Sequence, residues 1–280
     1  MLAEIKALFS PRENDTHKGT YGTVLSVCGS YGMAGAAFLS AKAALRCGAG
    51  LVVAAVPQSV YPLLAPMLPE AVFAPYDEAK ATVSVVPRLK KATALLCGCG
   101  LGQSREAAEL TAALLCEAEC PIVLDADGIN IVARHIHSLE AVKAPLVLTP
   151  HPLELARLLD CSVSEIQANR ESVAKRAAQQ FNAVVVLKGY RTVVATPSGD
   201  TFINPTGNPG MAVGGSGDVL AGMIVSLLAQ GFTPWDAARA GVYLHGAAGD
   251  AAAARLSQHA MLPSDMLDEL GALFLKLEAE

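Results

Sequence analysis

The chain has 280 residues, of which 52% are hydrophobic and 17% are charged, and its net charge is −5. This length allows one large α/β domain or two small ones, and this composition excludes an intrinsically disordered protein. Because lysine and arginine form no run, we expect no nucleic-acid partner. We also expect no membrane partner, because no apolar stretch reaches the ~18 residues that span a bilayer.

The N-terminal stretch and the cysteines predict a cytoplasmic location. Acidic residues and a lysine interrupt the apolar positions at the start of the chain, which is not typical of a signal peptide. The seven cysteines lie mostly in apolar settings, so we expect buried, reduced thiols. Cys97 and Cys99 form a Cys-x-Cys pair, but no second Cys/His pair accompanies it at zinc spacing, so we expect no metal there.

Short runs rich in valine predict strands, and most of the segments between them have helical spacing. The predicted strands cover residues 23–28, 51–56, 92–97, 121–126, 144–149, 183–188 and 192–197, and the predicted helices cover 35–47, 104–119, 164–181 and most of 218–277. This alternation predicts an α/β fold with a mostly parallel central sheet and helices on both faces. A hairpin turn at 189–191 adds antiparallel strands at one edge. Since no long linker or repeat interrupts the chain, we expect one domain over residues 1–280.

Ligands of open α/β sheets bind beyond the carboxyl ends of the strands, so the turns at those ends are the candidate sites. The turn 28–37 carries three glycines before a helix, and either a closely approaching ligand or tight helix–strand packing explains them. Its Gly-x-x-Gly-x-x-Gly spacing differs from that of a dinucleotide-binding fingerprint. The turn 97–104 also carries three glycines, and a ligand pocket explains it about as well as turn geometry with Ser104 as helix cap.

Acidic residues and a histidine follow the next strands. Asp125 and Asp127 could bind Mg²⁺ or hold a neighbouring loop. His151 lies between two prolines at a strand end, and both a functional and a structural role fit it. Glu154, in the first turn of the next helix, could interact with the helix dipole or with a metal-bound water.

The hairpin turn and the glycine-rich segment 204–222 carry the remaining candidates. Lys188 and Arg191 flank the turn and could contact phosphate, although a plain hairpin is the alternative. Backbone N–H groups at the start of a helix would stabilise developing negative charge, so we predict an anion hole at Gly214, Gly215, Ser216 and Gly217. Asp218 would accept the proton of an attacking hydroxyl. The alternative is that Asp218 only caps its helix, but a cap does not need so many glycines.

Four ordered motifs, spread over roughly residues 14 to 250, closely resemble the ADP/ATP-dependent NAD(P)H-hydrate dehydratase family of ribokinase-like enzymes. They are HKGTYGTVLSVCGS, LDADGIN, TPHPLELARLL with LKGYRT behind it, and NPTGNPGMAVGGSGDVLAG. The resemblance implies a ribokinase-like three-layer sandwich. It also implies repair of NADH and NADPH whose nicotinamide ring has been hydrated: a nucleotide phosphorylates the ring hydroxyl, and loss of phosphate regenerates the cofactor.

The resemblance also assigns roles to individual residues. It implies that the hydrated dinucleotide is contacted by Ala36, Gly102, His151 and Asp218. It implies that the nucleotide is contacted by Lys188, Gly189, Tyr190, Arg191, Thr192 and Gly217. Asp218 would be the catalytic base, and Mg²⁺ would shield the phosphates, with its ligands unknown. Gly128, where many relatives carry alanine, is expected to loosen the loop that holds Asp127.

Several properties stay open at this stage. The resemblance implies ADP as the donor in bacteria and ATP in eukaryotes, a homotetramer, and a separate epimerase as functional partner, because we expect no room for an epimerase domain in this chain. The alternative enzyme is a kinase of the same fold acting on a hydroxymethylpyrimidine or a hydroxyethylthiazole alcohol. A non-catalytic nucleotide sensor is a further alternative, which the presence of Asp218 disfavours.

Overall fold

The computed structural model of the protein describes residues 2–9 and 11–278. Its strands are β1 Thr23–Val27, β2 Leu51–Pro57, β3 Val72–Tyr76, β4 Ala94–Cys97, β5 Ile122–Leu124, β6 Leu146–Leu148, β7 Val184–Leu187, β8 Val193–Ala195 and β9 Thr201–Ile203. Its α-helices are α1 Leu2–Lys6, α2 Ala34–Arg46, α3 Tyr61–Leu64, α4 Ala81–Val85, α5 Arg105–Glu117, α6 Ala126–Arg134, α7 His137–Glu140, α8 Pro152–Leu159, α9 Val163–Ala168, α10 Arg170–Phe181, α11 Ser216–Ala229, α12 Pro234–Leu256 and α13 Pro263–Glu278.

The strands form one sheet in the order β3-β2-β1-β4-β5-β6-β7-β8-β9. The strands from β3 to β7 pair in parallel. β8 and β9 run antiparallel to their neighbours, because the chain turns back directly after β7. The predicted mostly parallel sheet with an antiparallel edge is therefore confirmed.

Helices cover both faces of the sheet, because successive side chains of a buried strand point to opposite sides. Leu25 and Val27 of β1 belong to an apolar cluster that also contains side chains of α5, α8 and α10. Val24 of the same strand belongs to a second cluster with α2, α11 and α12. The result is the three-layer sandwich that the resemblance implied.

Two strands were not predicted from the sequence. β3 contains Pro75, which has no N–H to donate, and it lies at the outer edge of the sheet, where proline is tolerated. β9 has three residues and only partial burial, so it lacks a clear apolar pattern. Both are edge strands, whose sequence signal is weaker than that of the strands buried on both sides.

Two predicted segments end or break earlier than their apolar pattern suggests. The strand predicted over 121–126 stops at Leu124, because Asp125 becomes the N-cap of α6. The helix predicted over 164–181 is interrupted at Asn169, whose φ of −139° is not helical. Ser104 caps α5 as expected, since its side chain accepts a hydrogen bond from the N–H of Ala107.

The cysteines are all free, as predicted, but not all of them are buried. Cys116 is exposed, and Cys120 and Cys161 are half-buried at the margin of an apolar cluster. Over the described residues, no helix combines the length and the apolar character needed to cross a membrane.

Candidate active site

The turns that carry the predicted site residues lie side by side at one edge of the sheet. Val27 of β1 pairs with Cys97 of β4, Cys97 pairs with Leu124 of β5, and Leu124 pairs with Leu148 of β6. Leu148 in turn pairs with Val185 of β7. Because β1, β4, β5 and β6 end in register, the turns after them converge, as expected for the carboxyl edge of an open sheet.

The two glycine turns after β1 and β4 are bonded directly to each other. The N–H of Gly29 donates to the carbonyl of Cys99 at 2.8 Å, and the hydroxyl of Ser30 donates to the carbonyl of Gly100 at 2.8 Å. A Cβ added to Gly100 would lie 2.8 Å from the Cβ of Ala36. At these positions, the structure therefore favours close packing over ligand approach as the reason for glycine.

Ala36 and Gly102, predicted to contact substrate, lie next to these turns. The side chain of Ala36 is only 7% exposed, so it shapes the base of the site. The N–H of Gly102 donates to Asp127 Oδ2 at 2.9 Å, and the amide of Gln103 donates to Asp127 Oδ1 at 2.8 Å. Asp127 thus holds a neighbouring loop, which is one of the two roles considered for it.

Gly128 is tightly packed, and the expectation that it loosens the Asp127 loop is wrong. A Cβ at this position would lie 2.6 Å from Leu124 Cδ1 and 2.9 Å from the carbonyl oxygen of Cys97. The missing side chain therefore lets α6 begin directly against β4 and β5. We call residues 28–30, 97–102 and 125–128 together the floor of the site.

Asp125 is a buried carboxylate with three donors. It is 1% exposed and accepts from Lys188 Nζ at 2.6 Å, from Thr149 Oγ1 at 2.6 Å and from Cys99 Sγ at 3.5 Å. Burial by itself would lower the pKa of Lys188, but attraction by Asp125 and Glu154 raises it. Lys188 is therefore a protonated cation inside the site.

His151 and Glu154 form a reciprocal cap at the start of α8. His151 Nδ1 accepts from the N–H groups of Leu153 and Glu154, and the carboxylate of Glu154 accepts from the N–H of His151 at 2.7 Å. Glu154 Oε2 also lies 3.8 Å from Lys188 Nζ. Burial and the charge of Lys188 lower the pKa of His151, so the ring is neutral at pH 7, and 44% of its side chain stays exposed. His151 Nε2 also lies 3.2 Å from Glu154 Oε1. Capping thus accounts for Glu154 and for both ring nitrogens of His151.

The start of α11 offers free backbone donors beside a cation. Gly215 occupies the N-cap position with φ of +99°, which favours glycine. Within the described part of the chain, the N–H groups of Gly217 and Asp218 have no protein acceptor, whereas Ser216 donates to the carbonyl of Val213 at 3.3 Å. In the predicted anion hole, the N–H of Gly217 is therefore available to bind an anion, whereas the N–H of Ser216 is already bonded within the protein.

Lys188 lies against this helix start. A Cβ added to Gly217 would lie 3.3 Å from Lys188 Nζ, so glycine lets the ammonium group lie close to the helix start. An added Cβ at Gly214 would meet nothing within 4 Å, as would one at Gly32 or Gly35. Free N–H groups, a cation and open space together make a site for an anion.

Asp218 faces the same space and does not cap its helix. It lies in the first turn of α11, whose N-cap is Gly215, and within the described residues its carboxylate accepts no hydrogen bond from the N–H groups of the helix start, so the capping alternative is wrong. Burial, followed by repulsion from Asp125, raises the pKa of Asp218 to about 6, while Cys99 and Lys188 oppose the shift. A carboxylate with a pKa close to neutral pH is suited to act as a general base.

The predicted nucleotide turn, residues 188–192, divides into an inner and an outer part. Lys188 points inward, with 18% of its side chain exposed, whereas Tyr190 is 89% exposed and Arg191 is also exposed. Arg170, a cation that the sequence did not single out, donates to the carbonyls of Leu187 and Lys188 at 2.9 and 3.2 Å. The structure thus brings Lys188 to the anion hole and leaves the tip of the turn in solvent.

Gly189 and Thr192 give this turn its shape. Gly189 has φ of +139°, and a Cβ there would lie 3.1 Å from the guanidinium of Arg170. The hydroxyl of Thr192 donates to the carbonyl of Gly189 at 2.9 Å. Both residues fix the backbone between the inner and the outer part.

His245 is a site neighbour that sequence reasoning missed. Its Nε2 lies 3.3 Å from the hydroxyl of Ser216, and burial lowers its pKa to about 4, so the ring is neutral at pH 7. It lies within the long helix α12, and nothing in the local sequence marks it. Asn204 and Thr206 also bond to α12, at the carbonyls of Val242 and Tyr243, and thereby anchor the loop before α11.

One group of side chains could in principle surround a cation. Ligand atoms of Cys99, Asp125 and Asp218 all lie within 4.8 Å of one another. A thiol is a poor ligand for Mg²⁺, and Asp125 is already paired with Lys188, so this group does not fit Mg²⁺. Cys97 is not part of it, because its sulfur faces Thr111 on the other side of the sheet.

A separate cleft of about 700 Å³ lies near the amino ends of β6 and β7, opposite the ends that carry the site. It is lined by residues around the start of β6, the end of α10 and the start of α12, among them Lys143, Phe181 and Trp235. It contains none of the predicted site residues. The chemistry predicted for this chain therefore belongs to the carboxyl edge.

Comparisons with known proteins identify the family of this chain. The family described as NAD(P)H-hydrate dehydratase matches residues 24–271. The chain is 46% identical to a bifunctional NAD(P)H-hydrate repair enzyme of Moorella thermoacetica, over 96% of this chain and 52% of that protein. It is 43% identical to an ADP-dependent (S)-NAD(P)H-hydrate dehydratase of Neisseria meningitidis, over 87% of this chain and 81% of that protein. The chain thus spans about half the length of the bifunctional relatives and most of the length of the single-function ones.

A solved structure extends the agreement to three dimensions. The ADP/ATP-dependent NAD(P)H-hydrate dehydratase of Bacillus subtilis, co-crystallised with ATP and Mg²⁺, superposes with a TM-score of 0.89 at 36% identity, covering 99% of this chain and 98% of that one. A hydroxyethylthiazole kinase of Pyrococcus horikoshii, at 17% identity and a TM-score of 0.65, shares the fold alone. The predicted resemblance is confirmed: the chain belongs to the NAD(P)H-hydrate dehydratase family.

Proposed function

We propose that this chain dehydrates the hydrated cofactors (6S)-NADHX and (6S)-NADPHX to NADH and NADPH, with ADP as phosphoryl donor. The observation that carries the proposal is the position of Asp218. Its carboxylate, with a pKa raised to about 6, lies at a helix start that presents the free N–H of Gly217 beside the ammonium of Lys188. A base and an anion site at the same point suit phosphoryl transfer to a hydroxyl.

The reaction has two steps that balance as the hydrated cofactor plus ADP giving the reduced cofactor, AMP and phosphate. In the first, Asp218 takes the proton of the ring hydroxyl while the hydroxyl oxygen attacks the terminal phosphorus of ADP, whose bond to the bridging oxygen breaks and releases AMP. The amides of Gly217 and Asp218 and the charge of Lys188 stabilise the transferring group. In the second, the ring–oxygen bond breaks, phosphate leaves, and loss of a ring proton restores the reduced nicotinamide.

The roles proposed for the other predicted residues come from the family resemblance. Ala36, Gly102 and the half-exposed side chain of His151 would line the place of the hydrated dinucleotide. The turn from Lys188 to Thr192, through Gly189, Tyr190 and Arg191, would contact the nucleotide. Gly214, Gly215 and Ser216 would shape the anion hole, with Gly217 supplying its N–H group.

Mg²⁺ is proposed to enter with the nucleotide. Mg²⁺ sites of this kind use phosphate oxygens, waters and few protein groups, and its charge would neutralise the phosphates. We assign no protein ligand to it, since the side chains that lie close together near Asp218 include a thiol and an ion-paired carboxylate.

Further properties are also proposed. The sequence pattern supports a single domain over the whole chain and a cytoplasmic location. The family resemblance supports a homotetramer and a separate epimerase that supplies the (6S) epimer. The existence of relatives named bifunctional NAD(P)H-hydrate repair enzymes supports a functional link to a second repair activity.

The test is to incubate the protein with hydrated NADH and either ADP or ATP and to follow the absorbance of reduced nicotinamide. We expect absorbance to appear and ADP to support the faster reaction. Phosphorylation of a hydroxymethylpyrimidine or hydroxyethylthiazole alcohol in place of repair would identify the alternative kinase. Nucleotide binding with no turnover of any of these substrates would identify a sensor.

A further inference from the structure

Arg170 occupies an unfavourable position for a cation, at the first residue of α10. The helix begins there because Asn169 leaves the helical conformation with φ of −139°. The N-terminal end of a helix carries partial positive charge, so a guanidinium is locally disfavoured at this position. Arg170 Nε is also buried and, within the described residues, has no hydrogen-bond partner. Neither feature stabilises the helix, so the reason for arginine lies in its contacts with other elements.

The guanidinium of Arg170 is bonded to the start of the nucleotide turn. Its Nη2 donates to the carbonyl of Leu187 at 2.9 Å and to that of Lys188 at 3.2 Å. Its Nη1 donates to Gln167 Oε1 at 3.2 Å, which holds the group from the side of α9. A Cβ at Gly189 would lie 3.1 Å from both Nη atoms. The guanidinium therefore packs directly against the backbone at the point where the chain leaves β7.

These contacts fix the orientation of the peptide unit between Lys188 and Gly189. This peptide is trans, so its carbonyl and its N–H point in opposite directions. Because the carbonyl of Lys188 accepts from Arg170, the N–H of Gly189 faces away from the guanidinium. Within the described part of the chain, this N–H has no protein acceptor. Arg170 thus leaves a backbone donor of the turn free for a ligand.

We propose that Arg170 is a positioning residue of nucleotide binding, which holds the Lys188–Gly189 peptide so that the N–H of Gly189 donates to ADP. A donor that is fixed in its direction before binding loses less conformational freedom on binding, so the affinity rises. The guanidinium donates to the protein and acts on the nucleotide only through the turn. This inference rests on the proposed function, because it takes ADP as the ligand of the turn.

The chain offers a matched control in Arg176, in the middle of the same helix. Arg176 Nη2 donates to Glu165 Oε1 at 3.0 Å, and half of its side chain is exposed. Arg170→Met and Arg176→Met remove the same charge and keep a side chain of similar length, but only Arg170→Met removes donors to the turn. Arg170→Lys keeps the charge and replaces the planar group by a single ammonium.

The first measurement is the dissociation constant for ADP by calorimetry, with thermal unfolding to verify that each variant is folded. Arg170→Met should weaken ADP binding by about tenfold, because the turn then adopts other orientations. Arg170→Lys should weaken it by about threefold, and Arg176→Met by less than about twofold. Wild-type affinity in Arg170→Met or Arg170→Lys, or an equal loss in Arg176→Met, would overturn the inference. If Arg170→Met does not fold, Arg170→Lys decides between these outcomes.

A second measurement follows the repair reaction and separates this inference from the proposed function. Arg170→Met should raise the KM for ADP by about tenfold and leave kcat and the KM for hydrated NADH within about twofold of the wild type. A merely structural loss would instead lower kcat at every ADP concentration. Repair with an unchanged KM for ADP in Arg170→Met would refute the inference alone. Absence of repair, with ADP binding weakened in Arg170→Met and not in Arg176→Met, would refute the proposed function and support the inference.

Discussion

Gly98, in the floor of the site, has no room for a side chain, whereas Gly214, before α11, faces open space. A Cβ at Gly98 would clash with the backbone oxygen of Asp125, and φ there is +123°. A Cβ at Gly214 would meet no atom within 4 Å, and its φ lies outside the left-handed region. Glycine thus serves packing at position 98 and access at position 214, although both segments contain several glycines.

The largest expected effect is a loss of folding stability on substitution of Gly98 in the floor of the site. Gly98→Ala forces a methyl group against the backbone of Asp125 at a φ that alanine avoids, so we expect a loss of more than about 4 kcal/mol in the free energy of unfolding. Chemical denaturation measures it. If this variant is as stable as the wild type, close packing does not explain glycine at this position.

The next effect concerns Lys188, which joins the two regions because it pairs with Asp125 in the floor and lies against Gly217 of α11. Lys188→Met leaves buried carboxylates without their cation, so we expect a loss of about 3 kcal/mol in unfolding free energy. Lys175→Met, which breaks the exposed pair with Glu171, should cost less than about 1 kcal/mol.

A double variant tests the cause of the Lys188 effect. Asp125→Asn combined with Lys188→Met removes both charges of the 2.6 Å pair. It should be more stable than Lys188→Met alone, because the uncompensated carboxylate is gone. Equal stability of the double and single variants would mean that lost packing, not an unpaired charge, causes the effect.

Asp218→Asn should stabilise the protein in a pH-dependent way. Burial raises the pKa of Asp218 from 3.8 to about 6, so the ionised group destabilises the fold. Below about pH 3.8, Asp218 is protonated in both the folded and the unfolded protein and does not lower the stability of the fold. This stability is lost as the pH rises through about 6, because the buried carboxyl group must then ionise. The variant should therefore gain up to about 3 kcal/mol above that pH and nothing at strongly acid pH. Thermal unfolding across pH measures it, and a gain independent of pH would contradict the assignment.

The smallest effect on stability is expected at the open glycine. Gly214→Ala should change the unfolding free energy by less than about 0.5 kcal/mol, because its methyl group meets nothing. The same methyl group enters the space proposed for phosphate, so the KM for ADP should rise by roughly tenfold. Unchanged stability together with an unchanged KM would place the nucleotide elsewhere.

Much of the fold could be predicted because its strands are buried on both faces and its helices are amphipathic. The edge strand with Pro75 and the helix break at Asn169 could not, since sheet position and local hydrogen bonds decide them. Ordered motifs identified the family, and the convergence of strand ends predicted which turns meet.

The roles within the site were less predictable, because they depend on long-range contacts. The pairing of Lys188 with Asp125 joins residues 63 positions apart, and Cys99 reaches Asp125 across 26 positions. His245 lies in a helix whose local sequence is unremarkable, yet it bonds to Ser216. Gly128 also shows that a missing side chain can tighten a structure, which sequence alone did not indicate.

The central claim is that Asp218 deprotonates a hydroxyl at an anion site formed by the start of α11. The most direct measurement is the rate of reduced-nicotinamide formation from hydrated NADH and ADP, for the wild type and Asp218→Asn, with ADP binding measured on both by calorimetry. We predict that Asp218→Asn binds ADP like the wild type but turns over ~10²- to 10⁴-fold more slowly. Wild-type turnover by Asp218→Asn would contradict the account.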